Sequence, residues 1–260
     1  MGLSFRQQEI VDLARRQRRV TVEDLAERFS VTRQTIRRDL AELCDKRVLA
    51  RVHGGAMLAS GVANVNYEAR NALAGPQKEE LARLCAAEIP DDCSLFMNIG
   101  TTTEAVARAL GAHRNLLVIT NNLNVANTLA QNPHCEVIVA GGVLRRSDNG
   151  IIGEATVDFI RQFKVDYAII GASAIDHDGA LLDYDFREVR VAQAIIANAR
   201  RTFLVVDATK FTRSAPVRIA HISEISALFT DAAPPDSIAK LCREHEVAVR
   251  VAAQAAAPVS

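Results

Sequence analysis

Several stretches of this 260-residue sequence combine residue types and spacings suited to holding an anion. In Asn98-Ile-Gly-Thr-Thr-Thr103 an apolar run ends and a helical pattern opens at Glu104. Gly100 lets a ligand approach the backbone, while the hydroxyls of Thr101, Thr102 and Thr103 and the free amides of a helix start can surround a phosphate. Thr120-Asn121-Asn122 and Gly141-Gly142 stand at comparable points after the next apolar runs. Each has an ordinary structural use as well, since Thr and Asn cap helices and Gly-Gly turns a chain without any ligand. Their repetition after successive runs favours one shared binding edge. Only five lysines occur, and two are placed to complete such a site: Lys210, in Val205-Val-Asp-Ala-Thr-Lys-Phe211, and Lys78, at a helix start. Glu188 and Arg190 follow Asp183-Tyr-Asp185 and offer hydrogen bonds to sugar hydroxyls. For these four charged residues a surface ion pair or a helix-end charge is an equally good explanation.

A second set is suited to nucleic acid. Phe5, Ile10, Leu13 and Ala14 mark a first apolar helical stripe. Thr21, with an acid three residues on, caps a short second helix carrying Leu25, Ala26 and Phe29. Ser30-Val31 is long enough only for a turn, and Thr32 caps a third helix in which Ile36, Leu40 and Leu43 recur at i, i+4 and i+7. That spacing leaves Arg33, Gln34, Thr35, Arg37 and Arg38 on the sides and the opposite face. A tight turn between two helices, the second presenting Arg, Gln and Thr near its start, is the helix-turn-helix arrangement that enters a major groove. Arg pairs bidentately with guanine and Gln with adenine, and further arginines reach phosphates. The alternation from Val48 to Val52, ending at His53-Gly-Gly55, reads as a two-stranded wing that would set Arg51 and His53 beside the backbone. The candidate DNA contacts are therefore Thr21, Thr32, Arg33, Gln34, Thr35, Arg37, Arg38, Arg51 and His53.

The elements that must position the first set follow in the rest of the chain. Residues 78–89 form an amphipathic pattern, and residues 94–98, 116–120, 136–140, 167–171 and 202–206 are short apolar runs, most separated by helical segments; 227–230 and 247–251 add later strands. Strands alternating with helices imply a mainly parallel sheet covered on both faces, an α/β domain in which ligands bind beyond the carboxyl ends of the strands. The expected organisation is a DNA-binding domain over residues 1–58, a linker over 59–75, an effector-binding and oligomerisation domain over 76–252, and a tail over 253–260.

Composition sets limits on this reading. Thirty-one basic residues balance 31 acidic ones, but residues 1–57 carry 12 basic against 8 acidic, so the neutral sum hides an excess of roughly four positive charges on the small domain. Five scattered cysteines show no metal-ligand spacing, and none of the six histidines has a visible partner, so neither a metal nor a cofactor is expected. The chain shows no apolar run of membrane-spanning length and no apolar leader at its start, which points to a cytoplasmic protein. Gly-x4-Gly-Lys-Ser/Thr, Gly-x-Ser-x-Gly and His-Glu-x-x-His are all absent, which argues against catalysis.

Val31-Thr-Arg-Gln-Thr-Ile-Arg-Arg-Asp-Leu40 with Arg51-Val-His-Gly-Gly-Ala56 resembles the winged helix-turn-helix signature of the DeoR family of bacterial transcriptional repressors, with Arg47 in place of the usual glycine at the start of the wing. The resemblance extends through Gly100-Thr-Thr-Thr-Glu-Ala-Val-Ala107, Thr120-Asn-Asn-Leu-Asn-Val-Ala-Asn-Thr-Leu129, Gly150-Ile-Ile-Gly-Glu-Ala-Thr-Val-Asp-Phe-Ile160 and Phe186-Arg-Glu-Val-Arg190. It implies a sensor domain with the fold of ribose-5-phosphate isomerase and glucosamine-6-phosphate deaminase, with the Gly-Thr-Thr loop as its phosphate site. It further implies double-stranded operator DNA as partner, a homo-oligomer (dimer or tetramer), and a small phosphorylated polyol or sugar as effector, most closely sn-glycerol 3-phosphate. Where the family usually carries Asp two residues before the loop glycine, this chain has Asn98, which hydrogen-bonds a hydroxyl but cannot act as a base. That departure weighs against the rival reading, a sugar-phosphate isomerase or deaminase.

Overall fold

The computed structural model describes residues 4–17, 19–45, 48–52, 54–58 and 75–252, in two compact units divided between Val65 and Asn66. Arg47, His53, the segment 59–74 and the tail 253–260 lie outside the described residues.

The first unit runs α1 (Phe5–Gln17), β1 (Arg19–Thr21), α2 (Val22–Arg28), α3 (Arg33–Asp45), β2 (Leu49–Val52) and β3 (Gly55–Leu58). Ile10, Val11 and Ala14 of α1 share one core with Leu25 of α2 and with Ile36, Leu40 and Leu43 of α3, as the helical spacing requires. The Thr21 hydroxyl accepts a hydrogen bond from the Asp24 amide at 3.1 Å, and Thr32 accepts one from Thr35 at 3.2 Å, so both helix starts are capped as expected. The wing differs from its sequence reading. It has three strands in the order β1-β3-β2, because Val20 pairs with Ala56 and Thr21 with Gly55. A three-residue strand is too short to show alternation, and its pairing depends on a distant partner. Gly55 is required at that contact, since a Cβ there would lie 2.0 Å from the Val20 carbonyl oxygen.

The second unit opens with α4 (Gly75–Ala86), which starts and ends three residues before the expected stretch. Pro76 sits in its first turn, where an absent N–H costs nothing, so Gly75-Pro76 begins the helix rather than closing a linker. Then follow β4 (Ser94–Met97), α5 (Thr101–Ala109), β5 (Leu116–Thr120), α6 (Leu123–Leu129), β6 (Cys135–Val139), β7 (Val143–Arg145), β8 (Gly150–Ile152), α7 (Glu154–Ile160) and β9 (Val165–Ile170). The chain continues through β10 (Ala174–Ile175), β11 (Ala180–Asp183), α8 (Phe186–Ala197), β12 (Ala199–Val205), β13 (Val217–His221), β14 (Ala227–Thr230), α9 (Asp236–Glu244) and β15 (Ala248–Val251).

Seven of these strands form a parallel sheet in the order β15-β14-β12-β9-β4-β5-β6. Alternate residues of each strand go to opposite faces. Leu95, Met97, Ile169, Phe203 and Val205 join a core with α4, α5 and α6, while Phe96, Ala168, Ile170 and Leu204 join one with α7, α8 and α9. Both faces are thus covered, the arrangement expected of an all-parallel sheet. Two small antiparallel sheets, the hairpin β7-β8 and the set β10-β11-β13, have no periodic signal in the sequence.

Candidate functional site

Strand order reverses at β4: β5 and β6 extend on one side, and β9, β12, β14 and β15 on the other. In a doubly wound sheet the crevice at such a switch point, beyond the carboxyl ends, is where ligands bind. The Asn98–Thr103 loop leaves β4 at this point, and the Asn98 amide donates to the Ile169 carbonyl of β9 at 3.0 Å. Gly100 has φ +151°, a conformation that side chains other than glycine rarely adopt, and it turns the chain into the nine-residue helix α5. The amides of the first turn of α5 have no intrahelical partner by construction. Lys78 is buried and donates from Nζ to the Thr101 hydroxyl at 3.1 Å, so α4 delivers a cation to the loop. Lys210, equally buried, lies 3.7 Å from Asp207 in the turn after β12. Burial opposes ionisation of Asp207, yet Lys210, the Thr209 hydroxyl, Arg213 and Lys78 outweigh it and hold its carboxyl below the usual range. Both singled-out lysines therefore act electrostatically on Asp207, a residue that sequence reasoning passed over although it lies three positions before Lys210.

Two buried side-chain oxygens here have no hydrogen-bond partner among the described residues: Asn98 Oδ1 and Asn121 Oδ1, at the carboxyl ends of the adjacent strands β4 and β5. An orphaned buried acceptor costs about 1–3 kcal/mol, a penalty that a ligand donor relieves.

Other singled-out residues serve the scaffold. Thr103 donates its hydroxyl to the carbonyls of Asn98 and Gly100, at 2.8 and 2.7 Å, and so shapes the loop from beneath. Asn122 caps α6 and donates to Glu104 at 3.1 Å. Gly141 and Gly142 are exposed, and the Thr156 hydroxyl donates to the Gly141 carbonyl at 2.9 Å. Arg190 forms an exposed 2.8 Å pair with Glu154.

Glu188 enters a separate constellation that the sequence did not reveal. Arg145 of β7 reaches Asp148 at 2.5 Å, Glu188 at 2.6 Å and Asp185 at 3.2 Å, tying the β7-β8 hairpin to the start of α8. Asp183, bonded to the Ser173 hydroxyl at 3.0 Å, adds a further carboxylate. Burial and repulsion from Asp183 outweigh the attraction of Arg145 and push the Glu188 carboxyl up to about 8. A carboxyl with its folded value raised favours the native state most below its unfolded value, and this contribution is lost as pH rises through about 8. Thermal stability is therefore expected to fall between about pH 5 and 8, and Glu188→Gln to flatten that slope in a scanning-calorimetry series; an unchanged slope would refute the raised carboxyl.

At the opposite, amino end of the sheet an open cleft of about 790 Å³ is lined by residues including Asp92, Cys93, Arg114, His134, Cys135 and Asp166. It contains none of the singled-out residues. Burial raises both of its thiols, which opposes formation of the thiolate.

In the first unit, Arg33, Gln34, Arg37 and Arg38 are exposed on α3 and Thr35 is half-buried against the Thr32 hydroxyl at 2.9 Å. Arg51 lies in β2, paired in register with Ala56.

Two family models match: a DeoR-like helix-turn-helix domain over residues 6–62 and a DeoR C-terminal sensor domain over residues 74–232. Among curated proteins, the glycerol-3-phosphate regulon repressor of Escherichia coli is 49% identical over 95% of this chain and 98% of its own length. The repressor of the same name from Haemophilus influenzae is 47% identical over 90% and 91%, and the Escherichia coli repressor CsqR is 40% identical over 88% of each. Solved structures similar to the chain include ribose 5-phosphate isomerase A of Neisseria gonorrhoeae (13% identity, 52% of each chain, TM-score 0.39) and eIF2B delta of Chaetomium thermophilum (16% identity, 64% and 58%, TM-score 0.47). With both of its domains matched in order and relatives aligned over nearly its whole length, this chain belongs to the DeoR family of transcriptional repressors.

Proposed function

We propose that this repressor binds operator DNA through α3 and the wing, and that a small phosphorylated polyol, sn-glycerol 3-phosphate, controls its affinity from the carboxyl end of the parallel sheet. The name shared by its relatives in two organisms supports that effector. The carrying observation is the hydrogen bond of buried Lys78 to Thr101 at the α5 start, where the strand order reverses, with a second buried lysine, Lys210, acting together with Lys78 on Asp207. In this reading the phosphate lies against Gly100, Thr101 and Thr102 with the two lysines beside it, and Asn98 and Asn121 accept hydrogen bonds from the polyol. Anions are favoured there by free helix amides and ammonium groups in a region of low dielectric.

One α3 reads only a half-site, so the acting species is a dimer or tetramer held through the sensor domain. Among the described residues no helix is long and apolar enough to cross a membrane. The effector acts by binding the DNA-competent and DNA-incompetent arrangements unequally.

The decisive experiment replaces Thr101 and Thr102 together by alanine. The variant is expected to bind operator normally but to resist release by sn-glycerol 3-phosphate, read as fluorescence anisotropy of a labelled duplex. Release at the wild-type concentration would move the phosphate away from this loop. In the other unit, Arg38→Ala is expected to weaken operator binding by about 1–3 kcal/mol while leaving effector binding intact. Equal operator affinity in a gel-shift titration would show that α3 reads DNA with other residues. Incubation with a panel of sugar phosphates is expected to give no turnover, since Asn98 supplies no base.

A further inference from the structure

Three acidic residues of the helix-turn-helix unit are placed against its arginines in a definite way. Gln7, buried in the first turn of α1, accepts from the Ser4 amide at 3.2 Å, while its own amide donates to the Ser4 hydroxyl, also at 3.2 Å. So oriented, its Nε2 donates to Glu42 Oε2 at 2.7 Å. The other carboxylate oxygen of Glu42 lies 3.4 Å from Arg38 Nε, one turn back along α3. Beside this relay Arg6 meets Asp39 at 2.6 Å, a second tie between α1 and α3. Arg33 has a looser acid partner, Glu23, at 3.7 Å, whereas Arg37 has no acid partner among the described residues.

An exposed ion pair by itself contributes little, mainly because two flexible side chains must be held in one geometry. Here one partner is already held from the core by Gln7. Resting on the reading of α3 as the DNA-reading helix, we propose that Glu42 is a positioning residue that sets the pose and the effective charge of Arg38. A guanidinium and carboxylate that approach DNA together carry no net charge and displace no net counterion. Arg38 then adds little to general phosphate attraction, and its contribution is reserved for a duplex whose groups fit the pose that the pair favours. This placement lowers affinity for random DNA and raises discrimination, since selectivity is a difference between two affinities. It also gives a reason for the modest positive excess of a unit so rich in arginine.

The test uses the full chain, a mixed-sequence duplex of about 30 base pairs, and a preferred duplex enriched by the wild type from a randomised pool, a length that leaves room for two half-sites about one helical turn apart. Glu42→Gln is expected to bind the mixed duplex about two- to fivefold more tightly at low salt, the range set by an exposed pair. Its plot of log affinity against log salt should steepen by about 0.9, one additional phosphate contact, and its preference for the enriched duplex should fall. A variant that is merely destabilised cannot gain affinity. Glu42→Asp, which keeps the charge, should restore the wild-type slope. Should Glu42→Gln fail to fold, Arg38→Lys, which keeps the pair neutral but removes the planar guanidinium, decides the matter: it should weaken the enriched duplex while leaving the slope on mixed DNA unchanged. If Arg38→Lys binds the enriched duplex as tightly as the wild type, or folded Glu42→Gln gains no slope, Glu42 does not have this role although α3 still reads DNA. A wild-type chain without salt-dependent DNA affinity would overturn the DNA-binding reading, and the role of Glu42 with it.

Discussion

Arg145→Met is expected to destabilise the sensor unit by about 3–5 kcal/mol, the cost of removing one partner from a buried ion pair. The guanidinium is the shared counter-charge of Asp148, Asp185 and Glu188, and the side chains of Asp148 and Glu188 are only 4% and 10% exposed. Without it, carboxylates on the β7-β8 hairpin and on α8 face one another across a medium of low dielectric. Arg187 is an exposed partner for Asp185 alone and cannot take over that function. The expected readout is a fall in melting temperature of roughly 10 °C, at about 2–4 °C per kcal/mol for a unit of this size. The loss should be smaller at pH 5 than at pH 8, because Glu188, with its carboxyl raised to about 8, is neutral at the lower pH. A variant within about 1 kcal/mol of wild type at both pH values would show that the hairpin does not depend on this bridge.

Lys210→Ala is expected to raise the concentration of sn-glycerol 3-phosphate needed to release operator DNA by about a hundredfold, with effector-free DNA affinity unchanged. Truncating one side of a desolvated charge pair typically costs about 2–5 kcal/mol of binding. Lys210 is 8% exposed, so its ammonium group has been taken out of water before any ligand arrives. Asp207 compensates that cost in the absence of effector, and a phosphate would share the cation. The native carboxylate of Asp207 is stabilised from several sides, Lys78 among them, so the variant should fold. Isothermal titration of effector and anisotropy of the labelled duplex together check the result. Release at the wild-type concentration would exclude Lys210 from the effector site.

The two domains were legible at different depths. The helices of the first were readable because their signals are local: caps at Thr21 and Thr32 and the Ile36, Leu40 and Leu43 spacing. Only β1 escaped, since three residues carry no period. In the second, the buried strands were visible as apolar runs, and the loops after β4 and β5 were found because their Gly, Thr and Asn residues are unusual after such runs. Which polar groups those loops leave unspent was not visible. Thr101 and Thr103 are alike in sequence, yet one hydroxyl meets Lys78 and the other closes the loop on its own backbone. Asn121 and Asn122 divide in the same way, one with an unpartnered oxygen and the other committed to a helix cap and Glu104.

By itself the sequence determined that an arginine-rich winged helix-turn-helix precedes an α/β sensor, that loops rich in Gly, Thr and Asn follow the first strands, and that the neutral net charge conceals a basic end. These features rest on periodicity, capping and composition, which act over a few residues. Only the tertiary structure decided the strand order that sets the β4 loop at the reversal point, the bonding of Lys78 to Thr101 and its action with Lys210 on Asp207, the gathering of carboxylates on Arg145, and the relay from Gln7 through Glu42 to Arg38. Each includes a contact between segments far apart in the chain, and the energy of such polar contacts depends on distance and burial, quantities that exist only once the chain has folded.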